Sequence, residues 1–210
     1  FSGYSDMAIG LARMFSIKFP VNFNSPYKAG SIAEFWRSWH ITLMRFFREY
    51  IYIPLGGNRC SKSRHYANIL VVFLFSGLWH GAGWTFVAWG ALHGIYSVIH
   101  AGWGDLLRRF GFQPTRYLVY RLGAIALTFV AVVCSWVLFR AHSFGEASSI
   151  LASMWGLNGF TISFNIGEAQ LGLGRLFTAL GATIIAPESR IEGLSYVWSV
   201  HGILILLAMV

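Results

Sequence analysis

A chain of 210 residues with 56% hydrophobic, 17% aromatic and only 11% charged side chains is far from the soluble average, in which about a quarter of residues are charged. That balance, with a mean hydropathy of +0.56, excludes an ordinary water-soluble enzyme and points to an integral membrane protein with Trp and Tyr for its interfacial belts. The net charge of +8 lacks the dense Lys/Arg stripe of a nucleic-acid binder, so the expected partner is the lipid bilayer and not nucleic acid.

The first predicted element is a helix within residues 1–19. Phe1, Tyr4, Met7, Ala8, Leu11, Met14 and Phe15 form one stripe, and Asp6 and Arg13 fall off it as a buried structural pair. This suits a helix packed against other protein. Pro20, Asn22, Asn24, Ser25 and Pro26 then break the chain. Residues 31–52 predict an amphipathic helix, with Ile32, Phe35, Trp36, Trp39, Leu43, Phe46, Phe47 and Tyr50 on one face and Ser31 and Glu34 at capping-box spacing. Its five charges (Glu34, Arg37, Arg45, Arg48 and Glu49) make it interfacial or re-entrant, not a free-standing span.

A turn at Pro54-Leu55-Gly56-Gly57-Asn58 and a basic loop (Arg59, Lys62, Arg64) lead into Ala67 to His100, 34 residues without Asp, Glu, Lys or Arg. Arg108, Arg109, Arg116 and Arg121 follow. Basic loops belong on the cytoplasmic side, so 59–66 and 101–117 are both expected there. The run between them must then return on itself, as a helical hairpin over 67–100 hinged at Gly81-Ala82-Gly83. Residues 118–140 predict a transmembrane helix, 141–195 an external loop region, and 196–210 a truncated transmembrane helix. The expected class is all-α, a multi-pass helical bundle with re-entrant or interfacial amphipathic helices. The chain begins at Phe1 without an initiator Met or a signal-peptide pattern, and is expected to be a piece of a longer membrane protein.

His80 lies inside the uncharged run, and an ionisable ring at that depth faces a protein interior or wet cavity. A neutral imidazole is suited to take a proton from a hydroxyl, and acyl transfer needs such a base together with a donor for the developing oxyanion. The Trp79 indole or the N–H groups around Gly81 could supply that donor. The competing reading is a histidine that only bonds two packed helices. His40 sits on the shoulder of the amphipathic helix, one turn from Trp36 and Arg37, where a solvated face is an equal alternative. Arg37 and Trp79, with Asn58 and Arg59 of the basic turn, are candidates for contacting substrate or cofactor. The positive-inside rule alone also accounts for that turn.

No metal site is expected, because HxxxH, HxxHH and HExxH arrays are missing, and His93 and His100 are seven residues apart, about 10.5 Å along a helix. A haem clamped by histidines of two helices stays open as a minor reading. Cys60 in a basic loop and Cys134 in an apolar run are not expected to pair.

Six segments in order, FSGYSDMAIGLARMF (1–15), NFNSPY (22–27), SIAEFWRSWHITL (31–43), REYIYIPLGGNR (48–59), SGLWHGAGWTFVAWGALHG (76–94) and SWVLFRAHSFGEA (135–147), resemble the membrane-bound O-acyltransferases. The similarity is to their bacterial branch of alginate and peptidoglycan O-acetylation proteins. The resemblance implies a multi-pass protein of the bacterial inner membrane with a buried tunnel. It also implies His80 (the WHG histidine) as catalytic base and His40 (the FWRSWH histidine) as a second active-site residue. The implied acyl donor is cytoplasmic acetyl-CoA, with no tightly bound cofactor, and the acetyl group passes to a periplasmic or membrane-anchored acetyltransferase partner and then to a polysaccharide. Family members carry further helices before FSGYSD, so this piece alone is expected to be inactive. Two other classes compete: a transport or proton-relay protein using buried histidines with Asp6 and Arg13, and a non-catalytic scaffold.

Overall fold

The computed structural model describes residues 2–157, 160–163 and 182–185. The chain divides into two units, residues 1–144 and 145–210. In the first unit every regular element is helical. The second contains most of helix α7 (Phe144–Met154) and two four-residue strands, β1 (Phe160–Ser163) and β2 (Ala182–Ile185), which pair in parallel with Phe160 opposite Ala182. Helix and strands both fall inside the stretch read as an external loop. The expected helix at 196–210 lies outside the described residues.

Helix α1 (Ser2–Met14) exposes its apolar stripe, with Tyr4, Met7, Leu11 and Met14 all more than half accessible. Asp6 and Arg13 are also exposed, and among the described residues no ion pair joins them. The buried pair expected there does not form within this chain. Positions 6 and 13 are two helical turns apart, beyond the reach of a direct contact.

The amphipathic segment starts where expected. Ser31 Oγ accepts from Glu34 N–H at 3.2 Å, and the Glu34 carboxylate reaches back to accept from Gly30 N–H at 2.8 Å. The single helix expected over 31–52 is, however, three pieces: α2 (Ile32–Ser38), α3 (Ile41–Phe47) and one π-helical turn, Arg48–Tyr52. The break falls at His40, whose backbone is left-handed at φ 46°, ψ 52°. Residues 22–24 hold it open. Asn22 Oδ1 accepts from both the N–H and the hydroxyl of Thr42 (3.0 and 2.7 Å), and Asn22 O accepts from Ile41 N–H. Asn24 N–H donates to Ser38 O. The free N–H groups of the first turn of α3 are thus capped from 20 residues away.

Helices α4 (Lys62–His80) and α5 (Trp84–Arg109) pack against each other, joined by residues 81–83. Their far ends share one carboxylate. Asp105 accepts from Lys62 Nζ at 2.8 Å, from Arg108 and from the Tyr66 hydroxyl at 3.4 Å. These bonds, from Lys62 first and then Arg108, hold the Asp105 carboxyl below the usual carboxylate range. Positions 62 and 108 therefore sit at the same end of the pair, and His80 at the other.

Helix α6 (Leu118–Arg140) lies along α5 and is the one described helix long and apolar enough to cross a bilayer. Its 23 residues reach about 35 Å, against about 30 Å of hydrocarbon. Leu118, Val119, Leu122 and Leu127 are exposed, while Val132 and Ser135 are fully buried. The core gathers Ile32, Phe35 and Trp36 of α2, Phe73 of α4, Trp89 of α5 and Val132 of α6.

Gly56 and Gly57 adopt positive φ (104° and 54°) in the turn before α4, a conformation that favours glycine. Buried Asn68 pins this turn, its Nδ2 donating to Leu55 O at 3.1 Å and Gly57 O at 3.2 Å. Asn68→Ala in the full-length protein is expected to cost about 1–3 kcal/mol, because it leaves Leu55 O unpaired and Gly57 O with only the weak Cys60 thiol as donor. Thermal unfolding in detergent measures this, and an unchanged midpoint would mean that the turn does not lean on Asn68.

Candidate functional site

His80 is the last residue of α4, and α5 begins at Trp84. The helix therefore delivers the imidazole to the connection and not to a helix flank. The ring is half-buried, edge-on to Trp79 at 4.9 Å between centroids, to Trp89 of α5 at 5.2 Å and to Phe139 of α6 at 5.0 Å. Aromatic walls on several sides restrict how the ring can turn.

His40 comes to the same place from α2 and α3. Its ring meets the Trp79 indole edge-on at 6.4 Å. The left-handed backbone at His40 is uncommon for a residue with a Cβ and persists only where its surroundings enforce it, here the bonds from Asn22 and Asn24. A continuous helix over 31–52 would aim this ring along the helix face. The break aims it elsewhere and leaves Nδ1 buried without a hydrogen-bond partner among the described residues. Trp79 is 58% exposed, so an acceptor or acyl group could reach its indole beside both imidazoles.

The other sequence-derived residues do not join this group. Arg37 is exposed on α2. Asn58 and Arg59 are exposed in the turn before α4. Their end of that helix is about 27 Å from His80, since 18 residues separate Lys62 from His80. Whatever Asn58 and Arg59 contact lies one helix length from the histidines, as a long ligand or a separate one would require. Cys60 and Cys134 are free thiols.

His93 went unrecognised as a polar anchor in the sequence. It is fully buried on α5, and its Nε2 lies 2.7 Å from Oγ of Ser135 on α6, itself fully buried. Rings of Phe35, Trp36, Phe73, Trp89, Tyr96 and Trp136 surround it. With Nε2 engaged and its faces packed, His93 has no room to ligate haem. A usable signal existed: two polar residues inside apolar helices are expected to find each other.

What this arrangement can do is acid–base chemistry. Two imidazoles share one indole at the mouth of a helix connection, and the N–H of that indole and the nearby backbone are hydrogen-bond donors.

Comparison with known proteins shows the family. The family model described as "MBOAT, membrane-bound O-acyltransferase family" matches residues 1–141. The chain is 48% identical over 176 residues to the peptidoglycan O-acetyltransferase of Helicobacter pylori, covering 84% of this chain and 32% of that protein. It is 40% identical over 185 residues to the "Probable alginate O-acetylase AlgI" of Azotobacter vinelandii, covering 88% and 35% respectively. A teichoic acid D-alanyltransferase of Bacillus subtilis is 27% identical over 151 residues, 69% of this chain and 38% of its own. The chain thus spans about a third of the length of the curated relatives it matches. With six motifs in order and a family match through residue 141, the chain belongs to the membrane-bound O-acyltransferase family.

Proposed function

We propose that the protein to which this chain belongs is an O-acetyltransferase of the bacterial inner membrane. It moves an acetyl group from cytoplasmic acetyl-CoA toward hydroxyls of an exported polysaccharide by way of a partner acetyltransferase. The observation that carries this reading is the convergence of His40 and His80 on Trp79 at the α4–α5 connection. The activities for which the relatives are named, O-acetylation of peptidoglycan or alginate, support the reaction class.

His80 accepts the proton of the acceptor hydroxyl as its oxygen attacks the thioester carbonyl. The new C–O bond places negative charge on the carbonyl oxygen, held by the Trp79 indole N–H or by backbone N–H groups near Gly81. Collapse breaks the C–S bond, and the departing thiolate takes the proton from His80. His40, whose ring meets the same indole, is the second imidazole of the site.

In the proposed topology both basic loops face the cytoplasm, which the shared contacts of Lys62 and Arg108 with Asp105 support by putting those loops at one end. The anionic donor then has the Asn58–Arg59 turn on its own side. The proton-relay reading gains no support, since Asp6 and Arg13 are exposed and apart.

The test is mild base release of acetate from purified cell-surface glycans of the source organism, with and without the gene. A deletion strain is expected to lose ester-linked acetate from one polymer, and complementation should restore it. Unchanged acetate on every glycan would overturn the reading.

A further inference from the structure

Besides His40 Nδ1, five buried polar atoms have no hydrogen-bond partner among the described residues; Nε1 of Trp136 is directed to Tyr27, and the other four are Nε1 of Trp36, Nε1 of Trp89, Nδ1 of His93 and Oγ of Ser76. Ser76, Trp89 and His93 are 1%, 1% and 0% exposed. The three rings are mutual neighbours, with centroids 4.9 Å apart for Trp36 and His93, 4.8 Å for Trp89 and His93, and 5.8 Å for Trp36 and Trp89. Ser76 lies one turn along α4 from Phe73, whose ring packs on Trp36 at 5.2 Å and on His93 at 6.3 Å.

The bonding capacities of these groups are complementary. Each indole N–H can only donate. The Ser135 hydroxyl has one hydrogen and donates it to Val132 O at 2.7 Å, so its contact with His93 is one in which Nε2–H donates to Oγ. That fixes the His93 tautomer and leaves Nδ1 as a bare acceptor. Ser76 Oγ has lone pairs to accept with. Two donors and two acceptors are what one water molecule needs to complete four bonds, and buried groups that cannot meet one another are commonly served that way.

We propose that Trp36, Ser76, Trp89 and His93 enclose a buried water site, in which one water accepts from both indoles and donates to His93 Nδ1 and Ser76 Oγ. The site ties α2, α4 and α5 together, and Ser135 extends the tie to α6. Trp89 is the ring against which His80 stands edge-on, so the water holds one wall of the candidate site in place. The inference concerns the core and stands whether or not the protein acetylates a glycan.

The decisive experiment is an experimental structure of the full-length protein at a resolution that shows ordered water. A peak within about 3.2 Å of all four atoms is expected. An empty site, or a direct bond from an indole to His93 Nδ1, would overturn the proposal. A second measurement needs no variant that must fold: nitrogen NMR of histidine-labelled protein in lipid nanodiscs. His93 is expected to carry its proton on Nε2 with Nδ1 bare. A proton found on Nδ1 would reverse the donor count and sink the site.

Discussion

Replacing His80 by alanine or phenylalanine in the full-length protein is expected to abolish O-acetylation of the acceptor glycan while membrane insertion and yield stay at the wild-type level. Loss of a positioned general base costs about 10²–10⁴-fold in rate, which takes acetylation below detection in a glycan assay. Stability should change little, because His80 ends α4 and is only half-buried. Alanine does remove the ring contacts with Trp79, Trp89 and Phe139, so a loss of activity there could reflect packing. Phenylalanine answers that objection by restoring the edge-to-face contacts without any proton acceptor. The measurement is base-released acetate per unit of protein in the membrane. Substantial acetylation in either variant would remove His80 from the chemistry.

What made His80 legible was local. An uncharged run of 34 residues flanked by basic loops has to turn, and the glycines beside His80 mark where. The start of α2 was legible for the same reason, with both capping residues inside one turn. The break at His40 was not, because apolar periodicity runs through 31–52 without interruption. The groups that split the helix, Asn22 and Asn24, act from outside it. The His93–Ser135 bond spans 42 residues between two apolar helices; their polar residues signal that some bond joins the helices, but α5 also carries Ser97 and His100, and spacing does not choose among them. The stripe on α1 is apolar as its spacing predicts, and among the described residues it stays exposed. Sequence spacing thus located the histidines and missed the long-range bonds that aim them.

Gly90→Ala should be the most damaging small substitution in the hairpin. A Cβ at Gly90 would run into the carbonyl oxygen of Phe73 on α4 and come within 3.2 Å of the Gly77 backbone. In the reverse direction, a Cβ at Gly77 would strike the carbonyl oxygen of Phe86 on α5. Both obstacles are backbone, so no rotamer change relieves them and the helices themselves must separate. Small residues at such crossings are what let membrane helices approach closely. Overpacking typically costs about 1–3 kcal/mol, and a clash with rigid backbone belongs at the upper end. Gly123→Ala on α6, with no atom within 4 Å of its added methyl, is the control and should be neutral or slightly stabilising through helix propensity. Unfolding midpoints of the two variants in detergent should therefore move apart, Gly90→Ala downward. Activity should fall with it, since parting α4 from α5 draws His80 away from Trp89. If Gly90→Ala melts with Gly123→Ala, the close crossing is not what joins this hairpin, and the placement of His80 has to be held by α6 through Phe139 instead.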